Sequence, residues 1–252
     1  MHISPIIAKS ILNKTGIPGF SYCLNPYIGC QHGCRYCYAS FITKRFSPHA
    51  ERWGEFVDVK INAPIVLAKE IKRARKGLVY VSSITDPYQP VEGEYGLTRK
   101  CLELLLGSQF PVNIQTKSPL VLRDLDLLRK FEDIEVGMTI TTDDERIKKL
   151  FEPSAPSISS RISALKRLRE EGIKSYAFIA PMLPLNPRKI IELLGKAVDY
   201  ILIDKMNYPG RTRLLYRKHN LEGYLEDTYF EETAKTIREL GSKRGIRVEA
   251  VF

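Results

Sequence analysis

The stretch Cys30-Gln-His-Gly-Cys34-Arg-Tyr-Cys37 places three cysteines within eight residues. Thiolates are the soft ligands that iron–sulfur clusters require. A cluster of four irons needs four ligands, so three cysteines leave one iron free to bind something other than protein. An open iron indicates a cluster that does chemistry and does not only store an electron.

Other interpretations of the cysteines have to be weighed. His32 could complete a Cys3His zinc set inside the loop, although structural zinc sites usually take their ligands as two separated pairs. Cys23 and Cys101 are single; Cys101 lies among leucines in a helical pattern, which favours the core, and Cys23 is undecided. A disulfide framework is disfavoured, because five cysteines is an odd number and secreted disulfide scaffolds are short and cysteine-dense.

Length and hydropathy favour one domain without a membrane span. A chain of 252 residues can bury one large core and suits a single (β/α) barrel-like domain. No run approaches the ~18 apolar residues of a membrane span, and the N-terminus lacks the apolar core of a signal peptide. We therefore expect a cytoplasmic protein with one domain over residues 1–252, its core at about 20–205 and a C-terminal extension over 206–252.

The chain is strongly basic. It has 39 Lys and Arg against 29 Asp and Glu, which gives a net charge of +10 at pH 7. Such an excess favours an anionic partner such as DNA or RNA. The same Lys and Arg residues also fit the solvated faces of amphipathic helices. The net charge alone does not distinguish an anionic partner from a solvated surface.

Apolar β-branched runs alternate with helical patterns after the cysteine loop, which indicates parallel βαβ units. The predicted strands are Phe20–Leu24, Leu78–Ser82, Val112–Thr116, Glu135–Thr139, Ser175–Ile179 and Tyr200–Ile203. The predicted helices are Pro64–Lys76, Thr98–Leu106, Asp124–Phe131, Ser160–Glu171, Pro187–Val198 and Thr228–Lys243, followed by an outer strand over Arg247–Phe252. Six units predict an α/β fold with an open, partial (β/α)6 TIM-like barrel. Long loops are predicted at Tyr38–Asn62 and Asn207–Tyr224.

Polar residues follow several of the predicted strands. Because the carboxyl ends of parallel strands meet at one mouth, these residues should converge with the cysteine loop. Asp, Ser, Thr and Pro also gather after strands simply because they make good turns and helix caps. The loop Thr85-Asp-Pro-Tyr-Gln-Pro90 is more distinctive, since two prolines, an aromatic and an amide predict a rigid loop that contacts a ligand.

Several segments, in order between about Asn25 and Asn186, carry a family resemblance. They are the cysteine loop, Thr85–Glu92, Gln115–Ser118 with Arg123-Asp124, Thr139–Glu145, and Glu152–Pro156 with Arg161. Together they resemble the spore photoproduct lyase-related branch of the radical S-adenosylmethionine (SAM) superfamily. The resemblance implies a barrel of the radical SAM type with lyase-like chemistry.

The resemblance also implies the cofactors and their ligands. A [4Fe–4S] cluster on Cys30, Cys34 and Cys37 would cleave SAM reductively to a 5′-deoxyadenosyl radical, which takes a hydrogen from the substrate. A reductant such as a ferredoxin or flavodoxin is the implied partner. The implied SAM contacts are Tyr36 at the adenine, Ser83, Thr85 and Asp86 at the amino group, and Thr116 and Thr139 at the ribose or carboxylate.

A nucleic acid is the leading candidate for the substrate. Basic residues and aromatics interleave over Tyr208–His219, as they do on strand-binding surfaces, although a plain basic loop fits equally well. The candidate substrate contacts are Tyr88, Gln89, Glu92, Lys205, Arg211, Arg213, Tyr216 and Arg217.

One position, Ser83, departs from the pattern of the family. Spore photoproduct lyase has a hydrogen-donating cysteine where this chain has Ser83. A hydroxyl is a far poorer hydrogen-atom donor than a thiol, which argues against repair of the spore thymine lesion.

The alternative function is that of a non-catalytic nucleic-acid-binding protein. It would hold either zinc, through the three cysteines and His32, or a cluster.

Overall fold

A computed structural model of the protein describes residues 1–47 and 52–252. That part of the chain contains eleven β-strands: β1 His2–Ile6, β2 Leu12–Lys14, β3 Tyr22–Leu24, β4 Tyr27–Ile28, β5 Phe56–Lys60, β6 Val79–Val81, β7 Val112–Thr116, β8 Ile134–Thr139, β9 Lys174–Ile179, β10 Tyr200–Ile203 and β11 Arg247–Ala250. The same ranges contain ten α-helices: α1 Ala39–Ile42, α2 Ala63–Ile71, α3 Glu92–Tyr95, α4 Leu97–Gly107, α5 Leu125–Leu128, α6 Glu145–Phe151, α7 Ile158–Glu170, α8 Pro187–Leu194, α9 Arg213–Lys218 and α10 Asp227–Ser242.

Eight strands form the main sheet, in the order β2-β3-β6-β7-β8-β9-β10-β11. Neighbours from β3 to β11 are parallel, whereas β2 pairs antiparallel with β3. Helices separate the successive parallel strands, so the predicted α/β class with a partial barrel is confirmed. No ladder joins β2 to β11 in the described residues, and the barrel is open along that side.

The two faces of the barrel strands differ in chemistry. In β8, Val136 and Met138 are fully buried in the main hydrophobic core, beneath the helices. The other face points into the barrel, where the Tyr176 hydroxyl of β9 donates to Asn113 Oδ1 of β7 at 2.9 Å, across Gly137 of β8. Polar and aromatic side chains therefore line the interior of the barrel.

The C-terminal extension completes the sheet. Helix α10 buries Phe230, Ala234 and Ile237, whose spacing puts them on one helix face. Strand β11 then pairs parallel with β10, with Arg247 opposite Tyr200, which confirms the predicted outer strand. None of the helices in the described ranges is long and apolar enough to cross a membrane.

The segment Tyr38–Asn62, predicted as a long loop, contains α1 and β5; its residues 48–51 lie outside the described residues. Strand β5 is the centre of a second sheet, in the order β1-β5-β4. Its register pairs His2 with Phe56, two residues far apart in sequence. The loop prediction was wrong because such distant pairing leaves no mark on local periodicity.

Two further predictions need correction. Asn207–Tyr224, predicted as a loop, contains α9, which is held down by the fully buried Tyr216. The helix predicted over Asp124–Phe131 is shorter: a 3-10 helix over Pro119–Asp124 leads into α5, which ends at Leu128. Both elements are too short to produce a clear helical period in the sequence.

Gly137→Ala should destabilise the barrel. A Cβ at this position would lie 2.3 Å from Cζ of Tyr176. That ring cannot swing away, because its hydroxyl is bonded to Asn113 and it stacks on Tyr200 at 4.9 Å. We expect the free energy of unfolding in urea to fall by about 1–3 kcal/mol. Gly107→Ala is the control, since nothing lies within 4 Å of its added Cβ; equal stability of the two variants would contradict this account.

Candidate active site

The cysteine loop begins directly after β4 at a tightly packed turn. Gly29 has φ +88°, and a Cβ there would lie 2.4 Å from the carbonyl oxygen of Phe56 in β5, so only glycine fits. Cys30 and Cys34 are buried, Cys37 is half-buried, and all three thiols are free of disulfide bonds. The second sheet thus fixes where the loop starts.

Hydrogen bonds hold the loop on two sides. On one side, the amide of Gln31 donates to Gln89 Oε1 at 2.9 Å, and Gln31 Oε1 accepts from the amide of Val91 at 2.6 Å. On the other side, the amide of Arg35 donates to the carbonyl of Phe151 at 2.8 Å. The loop is therefore positioned by the segments that follow β6 and β8.

A buried carboxylate, Glu152, lies beside the loop. Its Oε2 forms an ion pair with Arg161 at 2.6 Å, and both side chains are fully buried. Its Oε1 accepts hydrogen bonds from the Tyr36 hydroxyl and from Thr141 Oγ1, and Lys117 Nζ lies 3.9 Å away. Glu152 therefore links the loop to residues that follow β7 and β8.

The charges around Glu152 determine its protonation. Burial alone would raise the pKa of the Glu152 carboxyl, but Arg161, Lys117 and the Tyr36 hydrogen bond outweigh burial and lower the pKa to about 2. The carboxylate is therefore ionised at neutral pH. One anion and two cations meet next to Cys34.

A second buried carboxylate, Asp86, follows β6. Its Oδ1 accepts from Thr116 Oγ1 at 2.6 Å and from the amide of Tyr88 at 2.9 Å, while Oδ2 accepts from the amide of Lys117 at 2.8 Å. Burial would raise the Asp86 pKa, but His32 and these hydrogen bonds lower it to about 2. Both oxygens are thus engaged within the protein.

The other predicted SAM contacts lie at the same strand ends. Thr85 Oγ1 donates to the carbonyl of Gly29 at 2.5 Å, and half-buried Ser83 accepts a hydrogen bond from Asn25 Nδ2 at 3.3 Å. Thr116 and Thr139 are buried at the ends of β7 and β8. Tyr36 is also buried, with its hydroxyl on Glu152. The structure gathers the predicted set at one mouth, and most of its hydroxyls already bond to protein.

Three predicted substrate contacts, Tyr88, Gln89 and Glu92, need correction because each is fully buried. The Tyr88 hydroxyl donates to Asp124 Oδ2 at 3.0 Å. Glu92 forms an ion pair with Arg123 at 2.7 Å. These polar groups satisfy one another inside the protein, so they brace the loop after β6 and do not present themselves to a substrate.

The predicted contacts from the C-terminal segment divide into two groups. Arg211, Arg213 and Arg217 are exposed, and half-buried Lys205 pairs with Asp227 at 3.1 Å. Tyr216, by contrast, is fully buried, and its ring centroid lies 4.8 Å from that of Phe151. Tyr216 is therefore a core residue of α9, and the prediction that it contacts substrate needs correction.

His32 does not join the cysteines. It is buried, and its Nε2 lies 3.2 Å from Asp86 Oδ2. Among residues 1–47 and 52–252, no three His, Cys, Asp or Glu side chains gather closely enough to hold a single metal ion. His32 is thus directed to Asp86 in the described residues. Cys101 is buried in the core, as its pattern predicts, and Cys23 is buried in β3.

The donor chemistry of the three cysteines fits a [4Fe–4S] cluster, in which each thiolate binds its own iron. Burial raises the pKa of the Cys34 thiol to about 12, and the charges of Lys117 and Arg161 oppose that rise. A coordinated thiol is deprotonated by the metal. The two cations would then face the negative charge of the thiolate.

The roles of Lys117, Glu152 and Arg161 were not predicted from the sequence. The side chain of Lys117 is 14% exposed, and its Nζ lies 5.7 Å from the centre of the Tyr36 ring. All three lie in segments that carry the family resemblance. A charged residue inside an otherwise apolar or turn-forming segment of that kind is the signal that could have identified them.

Comparison with known proteins decides the family. The sequence profile of the Radical SAM superfamily matches residues 24–197. The chain belongs to the radical SAM superfamily. It is thereby an enzyme of a superfamily that uses SAM and a [4Fe–4S] cluster.

Curated proteins and solved structures are similar to the chain. An uncharacterized protein of Methanocaldococcus jannaschii is 46% identical over 232 residues, 91% of this chain and 86% of that protein. A radical SAM Nalpha-GlyT isomerase of Pseudomonas phage M6 is 25% identical over 161 residues, 63% of this chain and 32% of that protein. Spore photoproduct lyase complexed with dinucleoside spore photoproduct has TM-score 0.72 at 16% identity, with 99% of this chain and 82% of that chain covered. At this identity the likeness shows the shared fold.

Glu152→Gln should destabilise the protein strongly while keeping side-chain volume. The change leaves Arg161 buried without its counter-charge, and breaking a buried pair in this way costs about 3–5 kcal/mol. Unfolding in urea measures the loss of stability. The control is Glu170→Gln, because Glu170 pairs only loosely, at 3.9 Å, with Arg167 on the surface and should change stability by less than about 0.5 kcal/mol. Similar losses in both variants would refute the role of the buried pair.

Proposed function

We propose that Cys30, Cys34 and Cys37 hold a [4Fe–4S] cluster and that this radical SAM enzyme takes a hydrogen atom from its substrate. The observation that carries the proposal is the set of three free thiols on one loop, clamped to the barrel mouth beside Lys117 and Arg161. When bound, the reduced cluster supplies the electron that splits SAM into methionine and a 5′-deoxyadenosyl radical. A ferredoxin- or flavodoxin-like reductant delivers that electron from outside.

Lys117 is the residue best placed to bind the carboxylate of SAM. It is a cation at the end of β7, close to Cys34 and over the face of Tyr36. The backbone amide of Lys117 donates a hydrogen bond to Asp86, and its ammonium group lies 3.9 Å from Glu152. The side chain is therefore held in place before a ligand binds. Asp86 then acts as a positioning residue, and half-buried Ser83 remains a candidate for the amino group.

A nucleic acid is the substrate class that the surface supports best. The net charge is +10, and Arg211, Arg213 and Arg217 are exposed on the segment that follows β10. The lyase of similar fold is complexed with a dinucleoside. Because Ser83 replaces the cysteine of that family, we propose a hydrogen abstraction other than repair of the spore lesion.

Protein purified without oxygen should carry about four irons and four acid-labile sulfides. Cys30→Ala, Cys34→Ala and Cys37→Ala should each lose the cluster, because each removes the ligand of one iron. Cys23→Ala and Cys101→Ala are matched controls and should keep it. One zinc per chain without acid-labile sulfide would overturn the proposal.

Lys117→Met should weaken SAM binding to the cluster-loaded protein by about 10- to 150-fold, because a charge-assisted contact contributes about 1.5–3 kcal/mol. Equilibrium dialysis without oxygen measures the affinity, and iron content checks that the cluster is intact. Lys100→Met removes the same charge from the outer helix α4, where Lys100 bonds only the carbonyl of Tyr95 in the described residues. Unchanged affinity in Lys117→Met would exclude this role for Lys117.

The reaction itself is tested by the unaltered protein. Reduced with dithionite and given SAM, it should release 5′-deoxyadenosine slowly even when no substrate is present. Chromatography of the quenched mixture detects the product. If a protein with a verified, reducible cluster releases none, the enzymatic proposal fails.

A further inference from the structure

Three aromatic rings and one guanidinium group lie together at the surface beside the cysteine loop. This group of side chains, called the aromatic rim here, consists of Tyr38, Phe41, Tyr208 and Arg211. Phe41 is 38% exposed and Tyr208 48% exposed. The ring centroids of Phe41 and Tyr208 are 5.3 Å apart with the planes at 69°, and the Arg211 guanidinium lies 5.8 Å from the centre of Phe41.

The rim is assembled from two distant parts of the chain. Tyr38 directly precedes α1 and Phe41 lies within it, whereas Tyr208 and Arg211 come from the segment after β10. The centroids of Tyr38 and Tyr208 are 6.3 Å apart. The Tyr38 hydroxyl donates to the carbonyl of Ser83 after β6. The rim therefore touches three of the segments that form the mouth of the barrel.

The rim is next to the proposed reaction centre. Tyr38 follows Cys37 directly in the chain, and its hydroxyl is anchored on Ser83, the candidate contact for the amino group of SAM. A ligand lying on the rim would thus be close to both cofactors.

Packing among the described residues does not account for the rim. Large rings stabilise a fold by leaving water, yet Phe41 and Tyr208 keep 38% and 48% of their surface in water. Neighbouring exposed aromatic residues with a cation beside them form a surface that binds a planar, electron-rich or anionic partner. Nucleic acid combines both features in its bases and phosphates.

We propose that the aromatic rim binds an unpaired nucleobase of a nucleic-acid substrate, with Tyr208 or Phe41 against the face of the base and Arg211 at the neighbouring phosphate. This inference rests on the proposed function, because it supplies the substrate of the same site. Bases inside a duplex present no free face, so the substrate must be single-stranded or must flip the base out. The rim therefore selects for the unpaired form.

Binding of a fluorescently labelled single-stranded DNA oligonucleotide to the cluster-loaded protein tests the proposal. Fluorescence anisotropy should show tighter binding to the single strand than to its duplex. Tyr208→Ala and Phe41→Ala should each weaken single-strand binding by about 5-fold or more, since one stacked base contributes about that much. Tyr208→Phe keeps the ring and should keep the affinity.

Matched variants separate the rim from general effects. Tyr224→Ala removes a ring of similar exposure, 37%, that packs on Tyr229, and it should leave binding unchanged. Arg211→Ala should flatten the dependence of log affinity on log salt by about 0.7, the value for one contact to a single-stranded phosphate. Arg238→Ala removes the same charge from the exposed surface of α10 and should not flatten it. Iron content verifies that every variant is folded and loaded.

The outcomes distinguish this proposal from the one on which it rests. If 5′-deoxyadenosine is released but the oligonucleotide does not bind, the radical SAM function stands and the nucleobase rim is wrong. The rim is also refuted if the ring-removing variants bind like the unaltered protein, or if duplex binds as tightly as single strand. If 5′-deoxyadenosine is not released, the proposed function fails whatever the oligonucleotide does.

Discussion

The buried ion pair between Glu152 and Arg161 holds the candidate site together. An ionised pair removed from water is costly, and it persists only where further hydrogen bonds satisfy both partners. Here Arg161 also donates to the carbonyl of Thr139 at 3.0 Å, and Glu152 accepts from Tyr36 and Thr141. The pair therefore joins the cysteine loop to the end of β8. Without it, the loop would lose the contact of Tyr36 with an ionised, charge-balanced Glu152.

The sequence was sufficient to predict the barrel because its six inner parallel strands are short apolar runs that alternate with helical patterns. The six predicted strands from Phe20 to Ile203 and the outer strand after Arg247 are all present. The second sheet could not be predicted, since it pairs β5 with β1, two segments far apart in sequence. Helix α9 was missed for a related reason: one buried residue, Tyr216, holds it, and one residue produces no period.

The site was predictable as a location and less so in the roles of its residues. The polar loop after β6 was correctly placed beside the cysteines, yet Tyr88, Gln89 and Glu92 turn inward. A polar residue that contacts a ligand and one that satisfies a distant buried partner look the same in a single sequence. Glu92 forms an ion pair with Arg123, and that contact is visible only in the folded structure. Phe41 and Tyr208 likewise become neighbours only when the chain folds.

The open side of the barrel has a mechanical consequence. In a closed barrel, widening the mouth breaks main-chain hydrogen bonds between two strands. Here the sheet ends at β2 on one side and at β11 on the other, and no ladder joins them within the described ranges. The two edges can therefore move apart without the loss of a ladder hydrogen bond.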